Sequence, residues 1–292
     1  INHRVEETLV DDGIEIKIDI YEGQKFVIER INIAGNNVTN DSVIRGEMLV
    51  DEGDPYSALL LNKSINKLKA RGIFASVDKK ITEGSSPDLK VLEISVKERA
   101  TGEISAGAGI GTDGTAFMFS VSENNWLGRG VKLNTTANLS ADSVSGDISI
   151  KNPNYNYSGN SVFVSGTISS ADLSDSSGYK SSKTGFGFGT EFEQYENIYV
   201  APSLSALYED VEVQATATET IKKMAGTFSN IDFSYAVTVD KRNQVFQPTE
   251  GHRTKFLQTI PLIMDSSSLL NGLEFSKYHA FSDDVIGSWK FY

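Results

Sequence analysis

The run Gly107-Ala108-Gly109-Ile110-Gly111 has the glycine spacing of a loop that cradles phosphate with backbone N–H groups at a helix N-terminus. Such a turn has to open a helix, and the residues around it continue an alternating pattern instead. The glycines are therefore read as a thin, weakly packed strand. His3, His252 and His279 lie far apart, without metal-ligand spacing, and are assigned to surface or lumen positions. Asp172, Asp175 and Gly178 fall in a Ser-rich stretch, but not at the spacing of a helix-loop-helix calcium site, which leaves a solvated loop. Serine is abundant, yet there is no Gly-x-Ser-x-Gly elbow and no nucleophile with a nearby base. The residues point to a protein that is not an enzyme and that needs no metal or cofactor.

Composition narrows the class. A net charge of -12 with 27 scattered Lys and Arg argues against nucleic acid, which requires a clustered basic face. The absence of cysteine removes disulfides and thiolate metal sites. Six prolines stand against 25 glycines, and the second half is crowded with Ser, Thr, Asn and Gly, which suits many strands and turns. Apolar runs such as Ala58 to Leu61 are far short of the roughly 18 residues of a spanning helix, so a membrane location implies a barrel. The chain opens at Ile1 inside an alternating segment, without an initiator Met or an apolar leader. Any export signal is expected outside it.

The elements follow from periodicity. Phe26, Ile28 and Ile31 to Ile33 read as a strand closed by the turn signal Gly35-Asn36-Asn37. Thr39, Asn40 and Asp41 can each cap a short helix carrying Ile44 and Met48 at i, i+4. Asp51 to Pro55 breaks it, and Ser57 caps a second helix with the stripe Leu61, Ile65 and Leu68, ended by Gly72. Strands Phe74 to Thr82 and Leu89 to Glu98 complete the order strand, helix, helix, strand, strand. Val5 to Tyr21, with Ile14, Ile16, Ile18 and Ile20 on one face, reads either as the tail of an earlier copy in a repeat of about 75 residues or as an unrelated hairpin.

After Thr101 the period is two. Val131, Leu133, Thr135, Ala137 and Leu139 alternate with Lys132, Asn134, Thr136 and Asn138; Ile231, Phe233, Tyr235, Val237 and Val239 alternate with Asp232, Ser234, Ala236 and Thr238. Ile104 to Ile110, Phe117 to Val121, Ile148 to Ile150, Phe186 to Phe192 and Val200 to Tyr208 show the same split. This gives about ten strands and the start of another, each of roughly 9 to 14 residues, matching tilted membrane-spanning strands. Trp126, Tyr155, Tyr157 and Tyr199 at strand ends suit an interfacial girdle. A soluble β-sandwich fits the alternation as well.

Particular phrases carry a resemblance. Ile31-Asn32-Ile33-Ala34-Gly35-Asn36 after a strand, the Arg45 to Met48 helix, and Arg71-Gly72-Ile73-Phe74 before a strand resemble a POTRA module. Val96-Lys97-Glu98-Arg99 before the Gly-rich strand resembles the passage from the last POTRA module into the barrel of the BamA family. Asn125-Trp126-Leu127-Gly128-Arg129-Gly130 is similar to that family's first periplasmic turn, and Asn152-Pro153-Asn154-Tyr155 to its Asn-Pro-Tyr turn. Asp240-Lys241-Arg242 with Phe246-Gln247-Pro248-Thr249-Glu250-Gly251 resembles its Asp-Arg and Phe-Pro-Thr-Asp-Gly turn, with Gln247 inserted.

The resemblance implies the tail of a preceding POTRA at 1–22, the membrane-proximal α+β POTRA at 23–100, and the first 10 to 11 strands of an incomplete antiparallel transmembrane β-barrel at 101–292. It implies a chain truncated at both ends, since the family's Val-Arg-Gly-Phe loop and closing strand are not among its residues. It also implies an outer-membrane location with the POTRA part in the periplasm. The implied activity is folding and insertion of β-barrel proteins without nucleotide or cofactor, through a lateral-gate strand containing Gly102, Ile104, Gly107, Gly109 and Gly111. The partners implied are unfolded outer-membrane proteins, outer-membrane lipid and an accessory assembly lipoprotein docked at Arg45 and Glu52, residues that otherwise read as ordinary surface charges. Other readings are a TamA-like or two-partner-secretion transporter, a passive porin, or a soluble β-rich adhesin.

Overall fold

A computed structural model describes residues 2–10, 13–21, 24–111, 114–244, 248–263, 269–282 and 285–292. The chain divides into two units, Ile1–Arg99 and Ala100–Tyr292.

The first unit begins with an antiparallel hairpin of β1 (Asn2–Val10) and β2 (Gly13–Tyr21). There follow β3 (Val27–Ala34), α1 (Asp41–Arg45), α2 (Ala58–Ala70), β4 (Phe74–Glu83) and β5 (Leu89–Glu98). The strand order is β3-β5-β4, with β3 parallel and β4 antiparallel to β5, as a strand-helix-helix-strand-strand chain requires if its helices cover one face. The Ser57 hydroxyl accepts the Leu60 N–H at 3.3 Å, capping α2 as the sequence predicts. The predicted stripe Leu61, Ile65 and Leu68 is buried with Ile28, Ile31, Ile44, Leu92 and Ile94. Each such side chain is worth about 1.5–3 kcal/mol when fully buried, which makes this cluster the source of the module's stability.

The first helix is shorter than expected. It ends at Arg45, and Met48 lies beyond it in a turn, still packed on the core. Asn40 is the N-cap but makes no side-chain capping bond, and five residues are too few to sustain a helix by propensity. Burial of Val43 and Ile44 holds the single turn in place.

The second unit is one sheet of 11 strands in sequence order: β6 (Gly102–Gly111), β7 (Gly114–Trp126), β8 (Val131–Ser140), β9 (Ser143–Asn152), β10 (Ser161–Leu173), β11 (Tyr179–Tyr195), β12 (Ile198–Val213), β13 (Gly226–Asp240), β14 (Gly251–Ile263), β15 (Leu270–Ser282) and β16 (Val285–Phe291). A four-residue helix α3 (Glu219–Lys222) lies between β12 and β13. Every neighbouring pair is antiparallel. Register carries one face across the sheet: Phe119 opposes Ala137, Thr135 opposes Ile148, Ile150 opposes Val164, Val164 opposes Phe188, Phe188 opposes Leu204, and Leu204 opposes Phe233. The other face holds Asn134, Ser149, Ser165, Ser203 and Ser234, with the ion pairs Lys151–Glu191 at 3.5 Å and Lys183–Glu209 at 3.0 Å. One side is built for hydrocarbon and the other for water.

β11 and β12 run to 17 and 16 residues, beyond the predicted length. Their extra residues carry Lys180, which stands between Asp172 of β10 and Glu212 of β12, so the strands continue past the apolar band with polar outer residues. Tyr199 does not join the aromatic girdle: it pairs with Thr238 and Glu193 on the polar face, because parity from Leu204 turns it inward. Among the described residues the sheet does not close; β6 and β16 are its two edges. No described helix is long and apolar enough to cross a membrane.

Candidate functional site

The predicted gate residues occupy the edge strand β6. Its residues pair with β7 alone: Ile104 with Val121, Gly107 with Met118, Gly109 with Ala116 and Gly111 with Gly114. About half of its N–H and C=O groups therefore point away from any strand of this sheet. Ile104 is 82% exposed on the apolar face. At Gly107, Gly109 and Gly111 an added Cβ would meet nothing within 4 Å, and none has a left-handed φ. Neither crowding nor backbone geometry in this sheet demands glycine there. At Gly102, also exposed, a Cβ would come within 2.9 Å of Glu123 Oε2, the movable end of a long side chain.

A second glycine series, Gly185, Gly187 and Gly189 on β11, behaves in the opposite way. A Cβ would fall 2.6 Å from Thr167 Cγ2, 2.8 Å from Ser165 Oγ, and 2.7 Å from both the Phe163 ring and Ser203 Cβ, respectively. The side chains of β10 lean across β11, and sequence reasoning missed this. The period-two glycines were the available signal, but only register shows what fills the space above them.

Arg45 and Glu52 are brought together and turned to a task in their own unit. Arg45 Nε donates to Asp41 at 2.6 Å, and its two terminal nitrogens donate to Glu52 at 3.5 Å and to the Ile31 carbonyl at 2.9 Å. Glu52 in turn accepts the Ile31 N–H at 3.0 Å. The pair thus satisfies both backbone groups of Ile31 on the outer edge of β3. The neighbouring groups are bonded to loop residues, Ile28 N–H to Asp54 and the Ile28 carbonyl to Gly53. The hydrogen bond to Asp41, ahead of the opposing desolvation, raises the Arg45 pKa above its ordinary value. Both side chains remain near half exposed, which leaves them reachable from solvent.

The turns that carried the resemblance are locally determined. Asn125 accepts the Gly130 N–H at 2.7 Å, and Asn154 accepts that of Gly159 at 2.8 Å. Asp240 and Arg242 form a partly buried pair at 2.6 Å. Gly251 has φ +96°, and a Cβ on it would collide with the Lys241 carbonyl, so this turn requires glycine. Phe246 and Gln247 lie outside the described residues.

A profile described as surface antigen variable number repeat, of the POTRA type, matches residues 26–99. The Omp85 superfamily domain matches residues 125–291, more than half of the chain. The chain belongs to the Omp85 superfamily. It is BamA-like: it is 26% identical, over 98% of its own length and 36% of the relative's, to the outer membrane protein assembly factor BamA of Nitratidesulfovibrio vulgaris. It spans about a third of the length of the curated relatives it matches. In fold it is similar to the crystal structure of BamA from Haemophilus ducreyi lacking POTRA domains 1–3, with a TM-score of 0.66 and 21% identity over 97% of this chain and 57% of that one. CdiB from Acinetobacter baumannii is also similar, with a TM-score of 0.58 at 11% identity over 99% and 55%. These findings make it an outer-membrane Omp85 protein with its POTRA part in the periplasm. The glycine strand β6 precedes the residues matched by the superfamily domain.

Proposed function

We propose that this Omp85 chain is part of a factor that folds β-barrel proteins and inserts them into the outer membrane, without a catalytic centre. The observation that carries the reading is β6, a membrane-length strand bonded on one side only, whose Gly107, Gly109 and Gly111 are demanded by neither packing nor conformation. In the whole protein such a strand makes a weak seam with the closing strand, and its free backbone groups template the strand of an incoming substrate. Unfolded outer-membrane proteins are the substrates, and lipid is the solvent they enter. Cross-linking Gly107 to the closing strand of the full-length protein is expected to abolish assembly, and full activity in the cross-linked form overturns the gate.

Arg45 and Glu52 are proposed as the docking point for an accessory assembly lipoprotein. Their exposed carboxylate and guanidinium suit a charged partner, though exposed pairs contribute only about 0–1 kcal/mol each. Glu52→Lys should reduce copurification of the partner, and unchanged copurification removes the assignment. A second reading, a dedicated transporter of the CdiB or TamA kind, draws on the shared fold. Depleting the full-length protein separates the two: a general loss of outer-membrane barrels supports assembly, whereas loss of one exported protein alone supports the transporter.

A further inference from the structure

The register of the last three strands gathers residues that the sequence keeps apart. His252 stands directly opposite Lys277 across β14 and β15, and Lys277 stands opposite Trp289 across β15 and β16. His279 follows Lys277 at period two. All four share the face of Phe256 and Phe275, the apolar side of the sheet. His252 stacks on Phe275 with centroids 6.3 Å apart, and Phe281 lies edge-on to His279 at 5.1 Å and to Trp289 at 6.2 Å. Gly287, opposite His279, makes room for this: a Cβ there would fall 2.6 Å from the Phe281 ring. Lys277 and His279 are exposed, as are Phe281 and Trp289.

The charge on this patch sets it apart from the rest of its face. Among the described residues the other lysine on the apolar face, Lys180, is paired with Asp172 at 2.7 Å, and on the polar face Lys151, Lys183 and Lys255 pair with Glu191, Glu209 and Glu274. Among the described residues Lys277 has no carboxylate within 4 Å, and the ring nitrogens of His252 and His279 have no hydrogen-bond partner. A lone ammonium on a membrane-facing surface is costly unless it reaches a counter-charge at the interface. The interface is close at hand. His252 is the second residue of β14 and His279 lies near the end of β15, at the strand ends shared with Gly102 and Asp240, where the chain enters β6 from the periplasmic side. An indole ring settles at the headgroup level, and a phenyl ring beside it reaches into the upper acyl chains.

We propose that Lys277, His252 and His279 bind the phosphate of an anionic glycerophospholipid in the periplasmic leaflet, with Trp289 and Phe281 seated against its glycerol and upper acyl chains. The ammonium supplies the charge, and each imidazole supplies at least one N–H donor. The site depends on the outer-membrane location and not on the assembly activity, so its test has a readout of its own. The full-length protein is reconstituted in phosphatidylcholine vesicles containing spin-labelled phosphatidylglycerol, or spin-labelled phosphatidylcholine as control, and the immobilised fraction is measured. Lys277→Gln is expected to lower the relative affinity for phosphatidylglycerol about fivefold, with Lys277→Arg retaining it and the control lipid unaffected. His279→Gln lowers it less. Millimolar inorganic phosphate is expected to leave the signal unchanged, since the rings require a lipid; full competition would make this a free-phosphate site and overturn the lipid assignment. Asp283 and Asp284 follow in the chain and lie outside the described residues. If they rather than lipid neutralise Lys277, Lys277→Gln will not change phosphatidylglycerol binding, and the proposal fails.

Discussion

Glu98 shows how much one carboxylate can organise. Its oxygens accept the N–H groups of Thr39 at 2.6 Å and of Val38 and Asn37 at 3.0 Å, fixing the turn that leads from β3 into α1 from the far end of β5. Desolvation pushes its pKa up, but the bonds from Thr39, Val38 and Asn37 outweigh it and hold the pKa below the ordinary 4.5. A carboxylate with a depressed folded pKa adds stability that is complete above the unfolded value and is lost as pH falls through the folded one. Glu98→Gln should therefore cost about 1 kcal/mol at neutral pH, after allowance for partial exposure, and should flatten the decline of the thermal midpoint below about pH 4.5. An unchanged acid limb would mean the clamp contributes nothing. Glycines separate in the same residue-by-residue way. Gly189→Ala puts a methyl into the Phe163 ring and Ser203 and is expected to destabilise the sheet by about 1–3 kcal/mol. Gly107→Ala meets open space and should fall within about 0.5 kcal/mol of neutral. Urea unfolding of the two variants in lipid gives the comparison.

At the scale of elements, local signals and register divide what could be read from the sequence. The POTRA elements were legible because each has its own marker: Gly35-Asn36-Asn37 for the end of β3, Ser57 for the start of α2, and Leu61, Ile65 and Leu68 for its buried stripe. The extent of α1 was not, since Met48 keeps its place in the core without being helical and an i, i+4 pair cannot distinguish the two. Tyr199 was misplaced because a tyrosine at a strand end reads as interfacial whichever face it occupies, and only its pairing with Thr238 decides. His252 and His279 were dismissed as distant, although the β14–β15 register sets His252 opposite Lys277, two residues before His279. Register also speaks to the first hairpin. Val5, Glu7 and Leu9 oppose Ile18, Ile16 and Ile14, while Val77, Lys79 and Ile81 oppose Val96, Ile94 and Leu92: the same aliphatic, charged, aliphatic pattern against three aliphatics. In β4 and β5 most of this face is covered, with Val77, Leu92, Ile94 and Val96 at 5% exposure or less and Ile81 at its rim at 40%, whereas Ile14, Ile16 and Ile18 are each near 60% exposed. The pattern supports the hairpin as the last two strands of an earlier POTRA copy whose helices cover it. Hydrogen exchange should show the β2 amides much better protected in the full-length protein than in the stretch 1–292; equal protection would mark an unrelated hairpin.

For the whole molecule, the decisive physical quantity is the number of free edges. An antiparallel sheet can face hydrocarbon on its apolar side, but a strand edge in the bilayer leaves N–H and C=O groups without water, at several kcal/mol for each unsatisfied group. The described sheet has two such edges, β6 and β16, so the 11 strands taken alone should not form a stable transmembrane structure. Offered to liposomes after refolding, the stretch 1–292 is expected to run at the same position on a gel whether or not it is heated, and to remain open to protease. The full-length protein should instead migrate differently when unheated, as closed barrels do. If the short stretch gave a heat-modifiable, protected species, β6 and β16 would have to pair with each other or with a second copy. That would show that β6 accepts a foreign strand edge readily, so even this outcome would bear on the gate. The property that makes the isolated sheet unfit for the membrane is the one proposed to do the work in the intact protein: backbone groups on β6 that remain to be bonded, beside glycines that do little to hold any partner strand in place.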